Sequence, residues 1–227
     1  MIVEGEEGPL AAIRNKGARR ASGEYIVFID DDVFTTRDWL KSIVETFENE
    51  SVDGVSGPAI MRLQHKRNRD LFRFPRIKFL YDLLFLDGLG RLPGHFTASG
   101  AWTTGASEAL CSYEGEVHFL EACNMAFRRS TFEKLGGFDE TYKGVGDWSE
   151  PDLCFRARAN GSRLYFNPRA KLYHEPSTSG AFFKRNVDSR NRMDNYLLFS
   201  RRWIKPCFKH TLYKIFMTLY YAIKAIK

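Results

Sequence analysis

A short apolar run ending in three consecutive acids constrains this chain more than any other stretch: Glu24-Tyr-Ile-Val-Phe-Ile-Asp30-Asp31-Asp32-Val33. Its β-branched and aromatic residues have the composition of a buried strand, so the carboxylates arrive together where that strand has to stop. Adjacent acids repel one another, and a fold that keeps them together supplies a cation or a row of backbone N–H donors. Two readings are open at this point. One is a divalent metal site at the carboxyl end of a strand. The other is a solvated turn in which Asp32 or Asp38 caps the helix that starts near Trp39.

The surrounding pattern favours the first. Residues 10–21 are helix-forming, with Leu10, Ile13, Gly17 and Ala21 on one face, and Ser22-Gly23 stops the helix just before the strand. A second helix, Asp38 to Glu48, is expected to bury Leu40, Ile43, Val44 and Phe47, and Val52 to Ile60 reads as a further strand interrupted by Gly54 and Gly57. Helices alternating with short apolar strands predict an α/β sheet, largely parallel, in which ligands collect beyond the carboxyl ends of the strands.

Composition sets the outer limits. A chain of 227 residues with 44% hydrophobic and 15% aromatic side chains can build a packed core, as one domain or as a domain with an appendage. The net charge of +6 points to an anionic partner, such as a phosphorylated substrate or a lipid surface. Cys111, Cys123, Cys154 and Cys207 form no C-x-x-C pair, so free thiols in a reducing compartment are expected rather than zinc or a disulfide framework. The start, Met1-Ile-Val-Glu-Gly-Glu-Glu-Gly, is acidic and lacks the apolar segment of a signal peptide, which predicts cytoplasmic residence.

Further along, the basic stretch Arg62 to Arg76 leads into a helix-like piece, Ile77 to Leu86, and then an irregular Gly-rich segment from Gly88 to Gly115, expected to shape a substrate pocket. The arginines of 62–76 lack a recognisable nucleic-acid module, so no nucleic-acid partner is expected. Phe119 to Phe127 reads as extended and Ser130 to Leu135 as a short helix closed by Gly136-Gly137. From Pro151 an amphipathic helix runs to Ala159, placing Glu150 and Asp152 at its N-terminus, where the plainer role of an acid is dipole compensation. Two short strands, 163–167 and 171–174, follow, and His174 closes the second.

The C-terminal part is helical and basic, and suggests a division into a domain of residues 1–204 and a basic amphipathic helix at 205–227. If 208–226 is one helix, Phe208, Leu212, Ile215, Leu219, Ala222, Ile223 and Ile226 share a face, while Lys209, His210, Lys214 and Lys224 fall elsewhere. Lys214 argues against a membrane span. Packing on the domain and peripheral contact at the cytoplasmic membrane face are both open.

Taken in order, Arg14-Asn15-Lys16-Gly17, Ala21-Ser-Gly-Glu-Tyr-Ile-Val-Phe-Ile-Asp-Asp-Asp32, Asn124-Met-Ala-Phe-Arg-Arg129, Gly136-Gly-Phe-Asp-Glu140, Ser149-Glu-Pro-Asp-Leu153 with Arg156, and His174 resemble family 2 glycosyltransferases. The resemblance implies a GT-A fold, a nucleotide-diphospho-sugar donor, Mg²⁺ or Mn²⁺, inversion at the anomeric carbon, and a glycan or lipid-linked acceptor. It makes Asp30 to Asp32 the Asp-x-Asp element, with Asp32 the direct metal contact, joined by Asp30 and His174, and with Asp30 or Asp31 facing the ribose and diphosphate. Arg14, Asn15 and Asn124 fall among the donor-binding positions.

The sequence departs from the family at two places. The general base is usually the second acid of a Glu-Asp-x-x-Leu pattern, and counting back from Leu153 lands on Glu150 with Ser149 before it; Asp152 is the reserve. Family members also begin with a strand and a Pro-Thr-Tyr-Asn-like segment that this sequence lacks, so a fragment, a misplaced start or a degenerate, catalytically inactive relative are the expectations for the N-terminus. A glycoside hydrolase with paired acids fits less well, because that chemistry needs neither a triple-acid strand end nor a metal.

Overall fold

The computed structural model describes residues 8–61, 74–105, 111–175 and 189–225. The first half contains α1 (Leu10–Arg20), β1 (Tyr25–Ile29), β2 (Val33–Thr35), α2 (Trp39–Asn49), β3 (Gly54–Ser56), β4 (Ala59–Met61), α3 (Pro75–Phe85), β5 (Pro93–Phe96) and β6 (Trp102–Thr104). The second contains β7 (Gly115–Glu116), β8 (Asn124–Arg128), α4 (Arg129–Lys134), α5 (Ser149–Ala159), β9 (Leu164–Phe166), β10 (Leu172–His174), α6 (Ser189–Trp203) and α7 (Phe208–Ala225).

The main sheet has the order β1-β8-β3-β9-β7. It is mixed, and its neighbouring pairs are mostly antiparallel, where the alternation of helices and strands predicts mostly parallel ones. The cause is β8, which inserts antiparallel between β1 and β3 and so leaves β1, β3 and β9 running the same way without all touching. Met125, Ala126 and Phe127 of β8 are fully buried, as a strand covered on both faces and both edges requires.

A smaller sheet, β2-β10-β4, branches off at the strand ends. The expected continuous strand 52–60 is two strands in two sheets, and the break falls at Gly57-Pro58. A Cβ on Gly57 would lie 2.1 Å from the Ala170 carbonyl oxygen, so only glycine lets the two backbones approach this closely as the chain changes sheet.

Helix α2 packs on β3 of the main sheet and shares a cluster with the small one; Ile43 and Phe47 are buried as expected, but Trp39 joins them in place of Leu40, which is 53% exposed. The buried row is an i, i+4, i+8 line, and Leu40 lies one step around the helix from it. These side chains pack with Val52, Val55 and Leu172 into one cluster. The larger cluster joins β8 and α5 to α6 and α7 through Phe127, Phe138, Leu153, Phe199 and Tyr213, so residues beyond 204 share the domain's core.

The segment 88–115 holds an antiparallel hairpin, β5–β6, in place of the expected irregular chain. Residues 62–73, most of the basic stretch, lie outside the described residues, as do 106–110. Helix α7 buries Tyr213, Met217 and Tyr221 and leaves Phe208, Leu212, Ile215, Leu219 and Ile223 exposed. Among the described residues, no helix is long and apolar enough to cross a membrane.

Candidate active site

Two strand ends, the start of one helix and the middle of another converge on one cleft of about 320 Å³. The first is the end of β1. Ile29 is in register with Asn124, so the residues one step beyond each, Asp30 and Cys123, come side by side. The second is the end of β10, where Val33 pairs with His174 and the Glu175 N–H donates to the Asp32 carbonyl oxygen at 2.9 Å. This short pairing carries His174 to the acids: its Nε2 lies 2.9 Å from Asp32 Oδ1 and 3.9 Å from Asp30 Oδ2.

Helix α1 brings Arg14 and the start of α5 brings Glu150. The Arg14 guanidinium donates to Glu150 Oε1 at 2.7 Å and approaches Asp30 Oδ1 at 3.7 Å. Both side chains of the Arg14–Glu150 pair are largely withdrawn from water, so the pair is stronger than a surface bridge. Glu150 follows Trp148, whose φ of 78° puts a bulky residue in the left-handed region. Such a conformation costs about 1–3 kcal/mol and survives only where packing holds it. Here Trp102, Tyr196 and Phe199 enclose the indole.

Arg14, Asp30, Glu150 and His174 therefore line a common cleft. The other residues expected at the site do not line this cleft. Asp32 lies beside it, with Oδ1 2.9 Å from the same His174 nitrogen that Asp30 approaches, and Asp31 is exposed. Asn15 is buried beneath the cleft, where its Nδ2 donates to the Phe138 carbonyl and its Oδ1 accepts from the Phe138 N–H, both at 2.8 Å. Asn124 is fully buried; its Oδ1 accepts from the Trp39 indole and its Nδ2 donates to the Ala170 carbonyl, each at 2.8 Å. Asp152 is also fully buried. It accepts from the Tyr142 hydroxyl, the Trp203 indole and the guanidinium groups of Arg156 and Arg202. Burial and this carboxylate push the Tyr142 phenol well above its ordinary pKa.

Asp147, Arg192, Tyr221 and Cys123 also reach the cleft, without any local sequence signal. Arg192 of α6 pairs with Asp147 and lies 5.3 Å over the Tyr221 ring, and burial pushes the Tyr221 phenol up against the lowering effect of Arg192. Cys123 stands beside Asp30 and His174. One ligand atom each from Asp30, Cys123 and His174 lie within 4.8 Å of one another, so a carboxylate oxygen, an imidazole nitrogen and a sulfur are gathered as a divalent cation would need them.

Sequence comparison gives this geometry a context. The profile for glycosyl transferase family 2 matches residues 2–136, more than half of the chain. The glucosyl-dolichyl phosphate glucuronosyltransferase of Haloferax volcanii is 25% identical over 168 residues, 71% of this chain and 46% of that protein. The pre-mycofactocin glycosyltransferase of Mycobacterium tuberculosis is 28% identical over 172 residues, 76% of this chain and 31% of that one. The chain spans less than half the length of these curated relatives.

Solved structures agree on the fold. GalNAc-T7 with UDP, GalNAc and Mn²⁺ superposes with a TM-score of 0.57 at 14% identity, over 86% of this chain and 35% of that one. The mannosyltransferase PcManGT of Pyrobaculum calidifontis, with GDP-Man and Mn²⁺, gives 0.52 at 21% identity, over 98% and 52%. The mixed sheet with its flanking helices is a GT-A fold, and with the profile match running from the N-terminus through α4 the chain belongs to glycosyl transferase family 2.

Proposed function

We propose that this chain moves a sugar from a nucleotide-diphospho-sugar to a hydroxyl of a lipid-linked glycan or polysaccharide, with inversion at the anomeric carbon and with Mg²⁺ or Mn²⁺ bound. The observation that carries the reading is the shared cleft: Asp30 and His174, with Asp32 beside the same imidazole nitrogen, lie on one side of Arg14, and Glu150 lies on the other. The Haloferax relative, named for a dolichyl phosphate substrate, supports a lipid-linked acceptor.

Asp30 and His174 would hold the cation, whose charge when bound offsets the negative charge that builds on a leaving diphosphate. Glu150 takes the proton of the acceptor hydroxyl as its oxygen attacks the anomeric carbon from the face opposite the leaving group. Arg14 can exchange its bond with Glu150 for one with an incoming diphosphate, which frees the carboxylate to accept that proton. Asp152 has four donors around it and no face on the cleft, so it serves α5 and its neighbours rather than an acceptor.

General-base assistance contributes about 10²- to 10⁴-fold. Glu150→Gln should therefore bind donor with nearly unchanged affinity and lose transfer by that factor. A variant that still transfers sugar at close to the parent rate would remove Glu150 from the role. The Arg14–Glu150 pair also favours a second reading, a GT-A module that binds without catalysis, since it occupies the base. Donor binding without measurable transfer in the unmodified chain would support that alternative.

The outward face of α7 extends the proposal to a peripheral site at the cytoplasmic face of a membrane. Its exposed Leu and Ile row, the lysines around it and four free cysteines support that setting.

A further inference from the structure

We infer that Cys123 is a third protein ligand of the cation site, giving a carboxylate–imidazole–thiolate set that takes a thiophilic divalent ion in preference to Mg²⁺. The inference rests on the proposed function for the location of the site.

The backbone makes this trio. Register between β1 and β8 sets Asp30 beside Cys123, and register between β2 and β10 brings in His174, so each ligand comes from a different strand end held by main-chain hydrogen bonds. The three ligand atoms lie within 4.8 Å of one another. An ion with tetrahedral bonds of about 2.0–2.3 Å sets its ligands about 3.5 Å apart, a closure within reach of side-chain rotation. Cys123 also lines the cleft. The contrast with Cys154 is informative: that thiol is fully buried, accepts the Leu120 N–H, and is pushed up to about 12 by burial, as suits an inert core residue.

Donor chemistry then decides the ion. Mg²⁺ takes hard oxygen ligands in near-octahedral geometry, whereas one sulfur and one imidazole nitrogen in a set of three suit Zn²⁺ or Co²⁺, with Mn²⁺ between. Three protein ligands leave positions open for phosphate oxygens. Coordination takes the thiolate, so the thiol proton leaves to solvent as the ion binds.

Cobalt makes the test direct, because thiolate coordination adds a sulfur-to-metal charge-transfer band in the near ultraviolet to the visible d–d bands. The whole chain is titrated with Co²⁺, alone and with inorganic pyrophosphate to supply the phosphate oxygens. The charge-transfer band should appear, persist in a Cys111→Ser/Cys207→Ser variant, and vanish in Cys123→Ser and Cys123→Ala. Those two variants should keep the parent circular dichroism, lose about tenfold or more in Co²⁺ and Zn²⁺ affinity, and bind Mg²⁺ as before. Visible Co²⁺ bands without charge transfer, or a band that survives loss of Cys123, would overturn the inference and leave a metal-assisted transferase standing. Absence of any Co²⁺ binding would overturn both the inference and the metal part of the proposed function.

Discussion

Asp32 and Asp30 face one nitrogen. In the linear motif both are metal contacts, and Asp32 is the stronger by resemblance. In the fold, His174 Nε2 lies 2.9 Å from Asp32 Oδ1 and 3.9 Å from Asp30 Oδ2, and Asp30 also lines the cleft with Cys123. Both carboxylates therefore stand on the same side of the imidazole, where a cation on Nε2 would meet either. On the proposed metal reading, Asp30→Asn and Asp32→Asn should each weaken Mn²⁺ binding by at least the roughly 10- to 100-fold typical of losing an acid that supports a metal site. Calorimetric titration with Mn²⁺ checks this, and an Asp32 variant that binds Mn²⁺ as the parent does would take Asp32 away from the metal. Asp30, His174 and Glu150 were legible because each sits at the end of an element that periodicity identifies, whereas Arg14, in the middle of α1, is picked out only by the family resemblance. Cys123 was not legible, because its neighbours at the site are set by a strand register that local spacing does not reveal.

At the scale of elements, the legible parts were those with a strong local period: α1, β1, α2, the start of α5, and the pair β9 and β10. The order of the sheet was not, since β8 lies about a hundred residues from the strand it flanks and its direction follows from tertiary packing. The β5–β6 hairpin was hidden for a different reason: its strands pair locally, but they are too short to show a period within a Gly-rich stretch. His118 fixes this hairpin to the main body. The Phe96 N–H donates to His118 Nδ1 at 3.0 Å, which requires the neutral ring. Burial, then the nearby charge of Arg158 and the ring of His95, push His118 down to about 4 from 6.5. The unfolded chain thus takes up a proton near pH 6.5 that the folded chain refuses until about pH 4, so stability is full above 6.5 and declines as pH falls through that window. Thermal melts across the window should show a smaller fall for His118→Gln than for the parent. Equal falls would mean that the histidine is as easily protonated folded as unfolded.

Across the whole molecule, apolar surface is distributed unevenly. Helices α3 and α7 are clamped together by Tyr81 and Phe85 against Tyr213 and Phe216, yet both turn large apolar side chains to water. Phe79 is 69% exposed on α3 and Phe208 83% on α7, with Leu83, Ile215, Leu219 and Ile223 also exposed. The same helices and the turn before α7 carry Arg76, Lys78, Lys205, Lys209 and Lys214 at the surface. An apolar row edged by cations matches an anionic bilayer interface, where each lysine or arginine near the surface contributes about 1 kcal/mol, screened by salt. Vesicles containing phosphatidylglycerol should bind the chain more tightly than neutral phosphatidylcholine vesicles, and the difference should shrink as salt rises. Replacing two exposed residues, Ile215→Glu and Leu219→Glu, should release the protein from both, because the apolar contact is lost and a charge is forced toward the acyl chains. Neither side chain belongs to the core, so the double variant should melt at nearly the parent temperature. Undiminished vesicle binding by that variant would move the contact to another face, and failure of the parent to bind any vesicle would assign these rows to a protein surface instead.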